Sequence, residues 1–372
     1  MIYSSLLLLR REVLGPPFCG LKLEAALKVL EDIGSRAWGN VSSVRSSFQH
    51  RSAADWQSVC APLFSASPLV AGPMQRRFTA RTWAVGPCLI CQVTVGGQVL
   101  RRTLEHVSVL SKFVVLTRYI DGHVAGATEG VPFDARPGNL VLRDFSRSFE
   151  ALQYPSIMEL VVIPRRVLGI HEADIPALRV MHETAREAIP LQKALSETFC
   201  SLTSASGSFS MSVLERLLAC TRAVLSEPPY PYSARQSARA AQRAAIDRFI
   251  EENLARLDLS AETILPQFGV SRATLYRLFE EDGGVRKYIV DRRLFRALLE
   301  ISTGGARRGV IQHAAKRWGF SSAANFNRSV RHAFGGTPGS LFKEQAVALS
   351  GNGRDVSVPA DLGHERWMSF HP

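Results

Sequence analysis

Through much of the first half of the chain, apolar residues come in short runs of β-branched and aromatic type, broken by turn formers. Cys88 to Val95, Phe113 to Thr117 and Leu140 to Asp144 are the clearest such runs. Gly96-Gly97, Asp121-Gly122 and Arg136-Pro137-Gly138-Asn139 punctuate them. Short strands at this spacing predict a small barrel or sandwich between Val41 and Pro164. From 173 to 225 the period becomes helical. Leu178, Met181, His182 and Ala185 then share one face, and Leu214, Leu217, Leu218 and Val224 another. Such helices cover a barrel end, form a dimer seam, or simply complete the core.

Pro228, Pro229 and Pro231 interrupt this pattern in a polar stretch that cannot continue a helix. After it, an Ala-, Leu- and Arg-rich segment keeps helical periodicity to about Lys343. The expected division is a poorly defined segment 1–40, a domain 41–225, a linker 226–239, a second domain 240–345 and a loose tail 346–372.

Within the second domain one pattern occurs twice. Ser260 is placed to cap a helix reaching Phe268, Gly269 supplies the positive φ of a tight turn, and Ser271 caps the next helix. On that helix Leu275, Leu278 and Phe279 point inward, leaving Arg272, Ala273, Thr274, Tyr276 and Arg277 outward. About fifty residues later, Val310 to Gly319 forms the first helix of a second copy, and Ser322 caps the second. Phe326, Val330 and Phe334 then face the core, and Ala323, Ala324, Asn327, Arg328 and Arg331 face out. An apolar ridge of Ile289, Leu294, Leu298 and Leu299 predicts one helix joining the copies. Each copy is a helix-turn-helix with its second helix laid out for a DNA groove.

Charge supports a polyanionic partner. The 372 residues carry a formal net charge of +12, with nucleic acid ahead of an acidic membrane as the implied partner. Residues 240–345 hold net +6, as much as residues 1–225 hold over twice the length.

The quoted residues carry a resemblance. Gly269 to Phe279, Gly283 to Ile289 with Arg292-Arg293-Leu294, Ala315 to Ser322, and Phe326-Asn327-Arg328 with Phe334 to Pro338 resemble the DNA-binding domain of AraC/XylS-family regulators. The resemblance implies an α+β multidomain chain: a cupin-like N-terminal β-barrel with helices, and an all-α C-terminal double helix-turn-helix domain. It implies that a linker helix spaces two recognition helices for adjacent major-groove segments. Carried over, the groove-facing residues are Arg272, Ala273, Tyr276 and Arg277, then Ala323, Ala324, Asn327 and Arg328. Arg277 and Arg328 suit guanine edges and Asn327 an adenine edge. Arg331, Arg307 and Arg308 suit phosphates. Two departures stand out: Ala323 and Ala324 are short where relatives often carry longer polar groups, and Pro266 lies inside a predicted helix.

Beside this resemblance, Pro137 to Asp144 looks like a barrel segment of the sensor domains in one AraC subgroup, and equally like a plain turn feeding a strand. The six cysteines are scattered, and Cys88-Leu89-Ile90-Cys91 reads as buried strand rather than a redox or zinc pair. His106, His123, His171 and His182 are dispersed, which is not ligand spacing. Leu6 to Leu9, followed by Arg10-Arg11, has the charge order of a signal peptide reversed. No metal, cofactor or catalytic site is expected, and the effector-binding residues are not legible. The expected partners are double-stranded DNA, a small-molecule effector, a second copy of the chain and, for an activator, RNA polymerase. The expected location is the cytoplasm, with no membrane partner. The rivals are a cupin-type enzyme with a helical appendage, which would hold stoichiometric metal, and a protein-docking adaptor, which would not bind DNA.

Overall fold

The computed structural model describes residues 44–50 and 56–342, apart from 58–59, 62, 70–77, 110, 171–174, 183–184, 205–208, 227–233, 281 and 305–308. The 1–40 segment, the 346–372 tail, His171, Arg307 and Arg308 lie outside the described residues, as does part of the expected linker.

The β-prone runs form two antiparallel sheets laid face to face. The larger has seven strands in the order β1 (Val44–His50), β3 (Phe78–Val85), β4 (Cys88–Val95), β11 (Ser156–Pro164), β6 (Phe113–Asp121), β9 (Asn139–Asp144) and β12 (Leu178–His182). The smaller has five, in the order β2 (Ser65–Pro68), β5 (Gln98–Arg102), β10 (Phe149–Gln153), β7 (Val124–Thr128) and β8 (Val131–Ala135). This is the expected β domain, built as two facing sheets. At the expected turn, the Arg136 N–H donates to Asn139 Oδ1 at 2.8 Å, which fixes the entry into β9.

Strand alternation sorts side chains into layers. Phe113, Val115, Val141, Phe149 and Ala151 meet between the sheets. Val114, Leu116, Leu140 and Leu142 face the other way, against Leu191, Leu195, Leu214 and Leu217 of two helices. The short helices α1 (Leu104–Val109) and α2 (Arg165–Leu168) precede them; the packed pair is α3 (Ile189–Thr203) and α4 (Met211–Ser226). Leu214, Leu217, Leu218 and Val224 share the buried face predicted for them, and they use it to cover the sheet.

One expectation fails here. Residues 178–182 are not helical: they form an edge strand paired with β9, with Leu178 opposite Arg143 and His182 opposite Asn139. The helical spacing of Leu178, Met181 and His182 is outweighed by ladder hydrogen bonds to a strand distant in sequence. Cys88 and Cys91 sit on opposite faces of β4, one in each core, so they cannot act as a pair.

The C-terminal helices follow: α5 (Ala234–Asn253), α6 (Ala261–Phe268), α7 (Arg272–Leu278), α8 (Val285–Gly304), α9 (Val310–Arg317) and α10 (Ala323–Phe334). Helix α5 thus begins inside the stretch expected to be linker. Helix α8 is the common wall. Val285, Tyr288 and Ile289 join the core of α5, α6 and α7, while Leu294, Phe295 and Leu298 join that of α9 and α10. The second core also takes in Leu69, Val99, Leu152 and Tyr154 from the outer face of the five-stranded sheet. That sheet is therefore buried on both sides.

Polar contacts pin this seam. Arg292 of α8, 1% exposed, donates from Nη1 to the Gly126 carbonyl of β7 at 2.8 Å and from Nε to Glu251 of α5. Tyr154 stacks on His123 at 3.7 Å and on Phe334 of α10 at 5.1 Å. Gly97 lies so near that ring that an added Cβ would stand 2.6 Å from it, so the approach requires glycine. Asp134 of β8 holds Arg136 at 3.1 Å, and Arg136 reaches Asp282, just beyond α7, at 3.9 Å.

Burial, opposed by Arg136 and reinforced by Asp282 and Asp291, raises the Asp134 pKa to about 6. A carboxyl with a raised folded-state pKa stabilises the fold below its unfolded value, and that contribution is lost as pH rises through about 6. Asp134→Asn is therefore expected to stabilise the fold at pH 7.5, by an amount on the order of 1–3 kcal/mol and with a higher melting temperature, the gain vanishing towards pH 4. Thermal melts of both proteins across that range check the sign. Gly97→Val should instead destabilise at every pH, by about 1–3 kcal/mol, because it drives Phe334 off Tyr154.

Candidate nucleic-acid interface

Both predicted units form, and local chemistry explains why. Helix α6 starts at Ser260, whose N–H donates to Thr263 Oγ1 at 3.0 Å, and ends at Gly269 with φ +60°. Pro266 lies within this eight-residue helix and is exposed; the helix continues two residues past it. The Ser271 hydroxyl accepts from the Thr274 N–H at 3.1 Å, capping α7. Ser322 does the same for Asn325 at 3.2 Å, starting α10. Helix α9 stops at Arg317, and Trp318 tucks between the two helical cores with its indole N–H donating to Glu300 at 2.8 Å.

The two second helices are one-sided. On α7, Leu275 and Leu278 are buried, while Arg272, Ala273, Tyr276 and Arg277 are exposed and Thr274 is half-buried. On α10, Phe326, Val330 and Phe334 are buried, Ala324, Arg328 and Arg331 are exposed, and Ala323 and Asn327 are half-buried. Each residue expected on an outer face is therefore there. Thr274 is partly committed, since its hydroxyl lies 2.9 Å from Ser271 Oγ. Arg272 leans on Glu262 at 3.3 Å; both are largely exposed, so this pair is weak and open to exchange for a phosphate.

Between the two units runs a groove of about 760 Å³. Tyr276 and Arg328 from the predicted set line it, together with Arg286, Arg293, Asn325 and Ser329, which sequence reasoning did not single out. Arg286 is exposed in the first turn of α8, ahead of the apolar ridge. Arg293 is different: it donates from Nε to the Leu254 carbonyl at 2.9 Å and also to that of Arg256, closing the end of α5. It shapes the groove while its donors are spent on the fold. Among the described residues no group of three His, Cys, Asp or Glu side chains is arranged to hold a metal ion, and no helix is long and apolar enough to cross a membrane.

Comparison with known proteins agrees with this geometry. Residues 266–344 match a family described as "Helix-turn-helix domain". The transcriptional activator NphR of a Rhodococcus species is 28% identical over 240 residues, covering 61% of this chain and 68% of the relative. Among solved structures, the AraC-like transcriptional activator CuxR matches with a TM-score of 0.43 at 19% identity, over 68% of this chain and 95% of that one. ToxT of Vibrio cholerae O395 matches with a TM-score of 0.28 at 13% identity, over 64% of this chain and 90% of that one. The two capped helix-turn-helix units lie in and beside the stretch that matches the helix-turn-helix family, and the chain is similar to a transcriptional activator.

Proposed function

We propose that this regulator reads two adjacent major-groove segments, one with α7 and one with α10, under the control of its N-terminal domain. The observation that carries the reading is the one-sidedness of both helices: apolar anchors are buried against the core around α8, while Arg, Asn, Tyr and Ala stand outward. Arg277 and Arg328 carry planar forks suited to guanine O6 and N7, and Asn327 suits adenine. Ala323 and Ala324 offer methyl groups to thymine or allow close approach for shape reading. Arg331 is placed for phosphate, which positions the protein without reading sequence.

Control by the N-terminal domain is supported by its position. The five-stranded sheet packs on α8 and on the end of α10, behind the outward faces, so a shift in the sheet moves a reader without occupying its DNA-facing surface. A second copy of the chain, RNA polymerase and a cytoplasmic location remain part of this reading as expectations of the family.

Selection of bound sequences from random duplex DNA by full-length protein at about 0.15 M salt tests the two-segment reading. Two half-elements about one helical turn, roughly 34 Å, apart are expected; a single short element would limit reading to one helix. On the selected site, Arg277→Ala should lose about 1–3 kcal/mol and relax one base preference. Arg331→Ala should weaken all sequences alike and lower the salt slope by about one. Identical behaviour of the two variants on specific and random DNA would refute that division of roles.

A further inference from the structure

The cleft between the two helix-turn-helix units opens on the side of their outward faces, since Tyr276 of α7 and Arg328 of α10 both line it. Helix α8 forms its back. Arg286, Val290 and Arg293 stand at i, i+4 and i+7 of that helix, so they make one stripe along the cleft. Of the five basic side chains of α8, four are committed to the fold. Lys287 pairs with Asp291 at 2.6 Å, and Glu251 holds both Arg292 and, at 2.8 Å, Arg296. Arg293 donates to the Leu254 and Arg256 carbonyls. The fifth, Arg286, is exposed and makes no hydrogen bond or ion pair among the described residues.

The cleft itself supplies no counter-ion for Arg286. Val285 and Ile289 beside it are buried in the first unit's core, and Phe320 of the second unit also lines the cleft and is buried. Low-dielectric walls of this kind focus the field of an unpaired charge outward. The one carboxylate among the lining residues, Glu262, lies in the first turn of α6 and pairs with Arg272 at 3.3 Å. Against it stand three arginines, of which only Arg286 and Arg328 have donors to spare.

When half-elements one helical turn apart occupy α7 and α10, the duplex between them turns its minor groove towards the cleft. From this placement we infer that Arg286 reads the width of that intervening minor groove, setting a preference for A·T pairs at positions neither α7 nor α10 touches. Tracts of A·T pairs narrow the minor groove, which deepens its negative potential and draws a guanidinium in. A G·C pair instead puts the guanine N2 amino group there, a donor facing a side chain that has only donors. Lysine would serve less well, because an ammonium is more strongly hydrated than a guanidinium. The role assigned to Arg286 rests on the two-segment reading above, and adds to it a specificity that base-edge contacts in the major groove do not supply.

The test uses full-length protein on the site recovered by selection, with both half-elements kept and only the central spacer pairs changed to A·T, G·C or inosine·C. Inosine·C presents the major-groove pattern of G·C but lacks the N2 amino group, so it separates minor-groove reading from reading of major-groove edges. Wild type is expected to bind the A·T and inosine·C spacers about 5–10-fold more tightly than the G·C spacer. Arg286→Gln should lose most of that difference and keep its preferences at both half-elements. It should also melt at the wild-type temperature, because the exposed side chain has no partner to lose. Arg286→Lys should keep the salt dependence and only part of the spacer preference. Absence of a spacer preference in wild type overturns this role, as does an A·T preference that inosine·C does not share. Equal weakening of Arg286→Gln on all three spacers overturns it too, and makes Arg286 a phosphate contact. Both half-elements without a spacer preference leave the two-segment reading standing, whereas recovery of a single short element overturns that reading and the role of Arg286 with it.

Discussion

The buried pairing of Arg292 with Glu251, and its hydrogen bond to the Gly126 carbonyl, is the constraint on which the arrangement depends. Three parts of the chain meet there: the linker helix α8, the opening helix α5 and the outer surface of the five-stranded sheet. A guanidinium taken this far from water needs its partners in fixed positions, and removing one partner of such a buried pair typically costs about 3–5 kcal/mol. Glu251 also holds Arg296 one turn along α8, at 2.8 Å, so the carboxylate ties two points of the helix to α5. Rotation or sliding of α8 against either neighbour would break these contacts together.

That constraint explains how the two helix-turn-helix units can be separate and yet fixed in relation to each other. Each unit has its own small core, and α8 contributes to both. Their relative placement is therefore set by one helix rather than by a flexible tether. The first unit is held additionally by Arg243, which donates to Asp282 at 2.7 Å and lies 3.8 Å from the centre of the Phe279 ring. The second is held by Phe334 against Tyr154. The two units thus touch the N-terminal domain through different chemistry, ionic near Asp282 and aromatic at Phe334.

How much of this was legible in the sequence follows from how local each cause is. Ser271, Ser322 and Gly269 act within three or four residues, so the two units and their outward faces could be placed from spacing alone. Residues 178–182 misled because Leu178, Met181 and His182 satisfy a helical spacing, while their ladder with β9 depends on a distant strand. Arg292 stood within a family-like run, yet its role depends on Gly126, which only the tertiary fold brings near. Arg143 lies in the predicted run Leu140 to Asp144, but its place over Phe133 and Phe149 depends on strands that only the tertiary fold brings near. The pairing of Glu251 with Arg292 likewise joins residues far apart in the chain.

The cost of the seam has a functional consequence. A seam built only from apolar contacts would be tighter, because a buried ion pair is often replaceable by hydrophobic residues at equal or better stability. This one instead holds Asp134 with an orphaned oxygen, His123 with an orphaned nitrogen, and Arg292 with one free amino group. Each lowers the stability of the docked arrangement relative to a dry interface and leaves it closer to balance with alternatives. A control element needs that balance, since a ligand can shift an equilibrium only by its differential affinity for the two states, typically a few kcal/mol. The imperfect satisfaction of the seam, set behind two fully formed helix-turn-helix units, therefore makes it the part of the molecule least committed to a single arrangement.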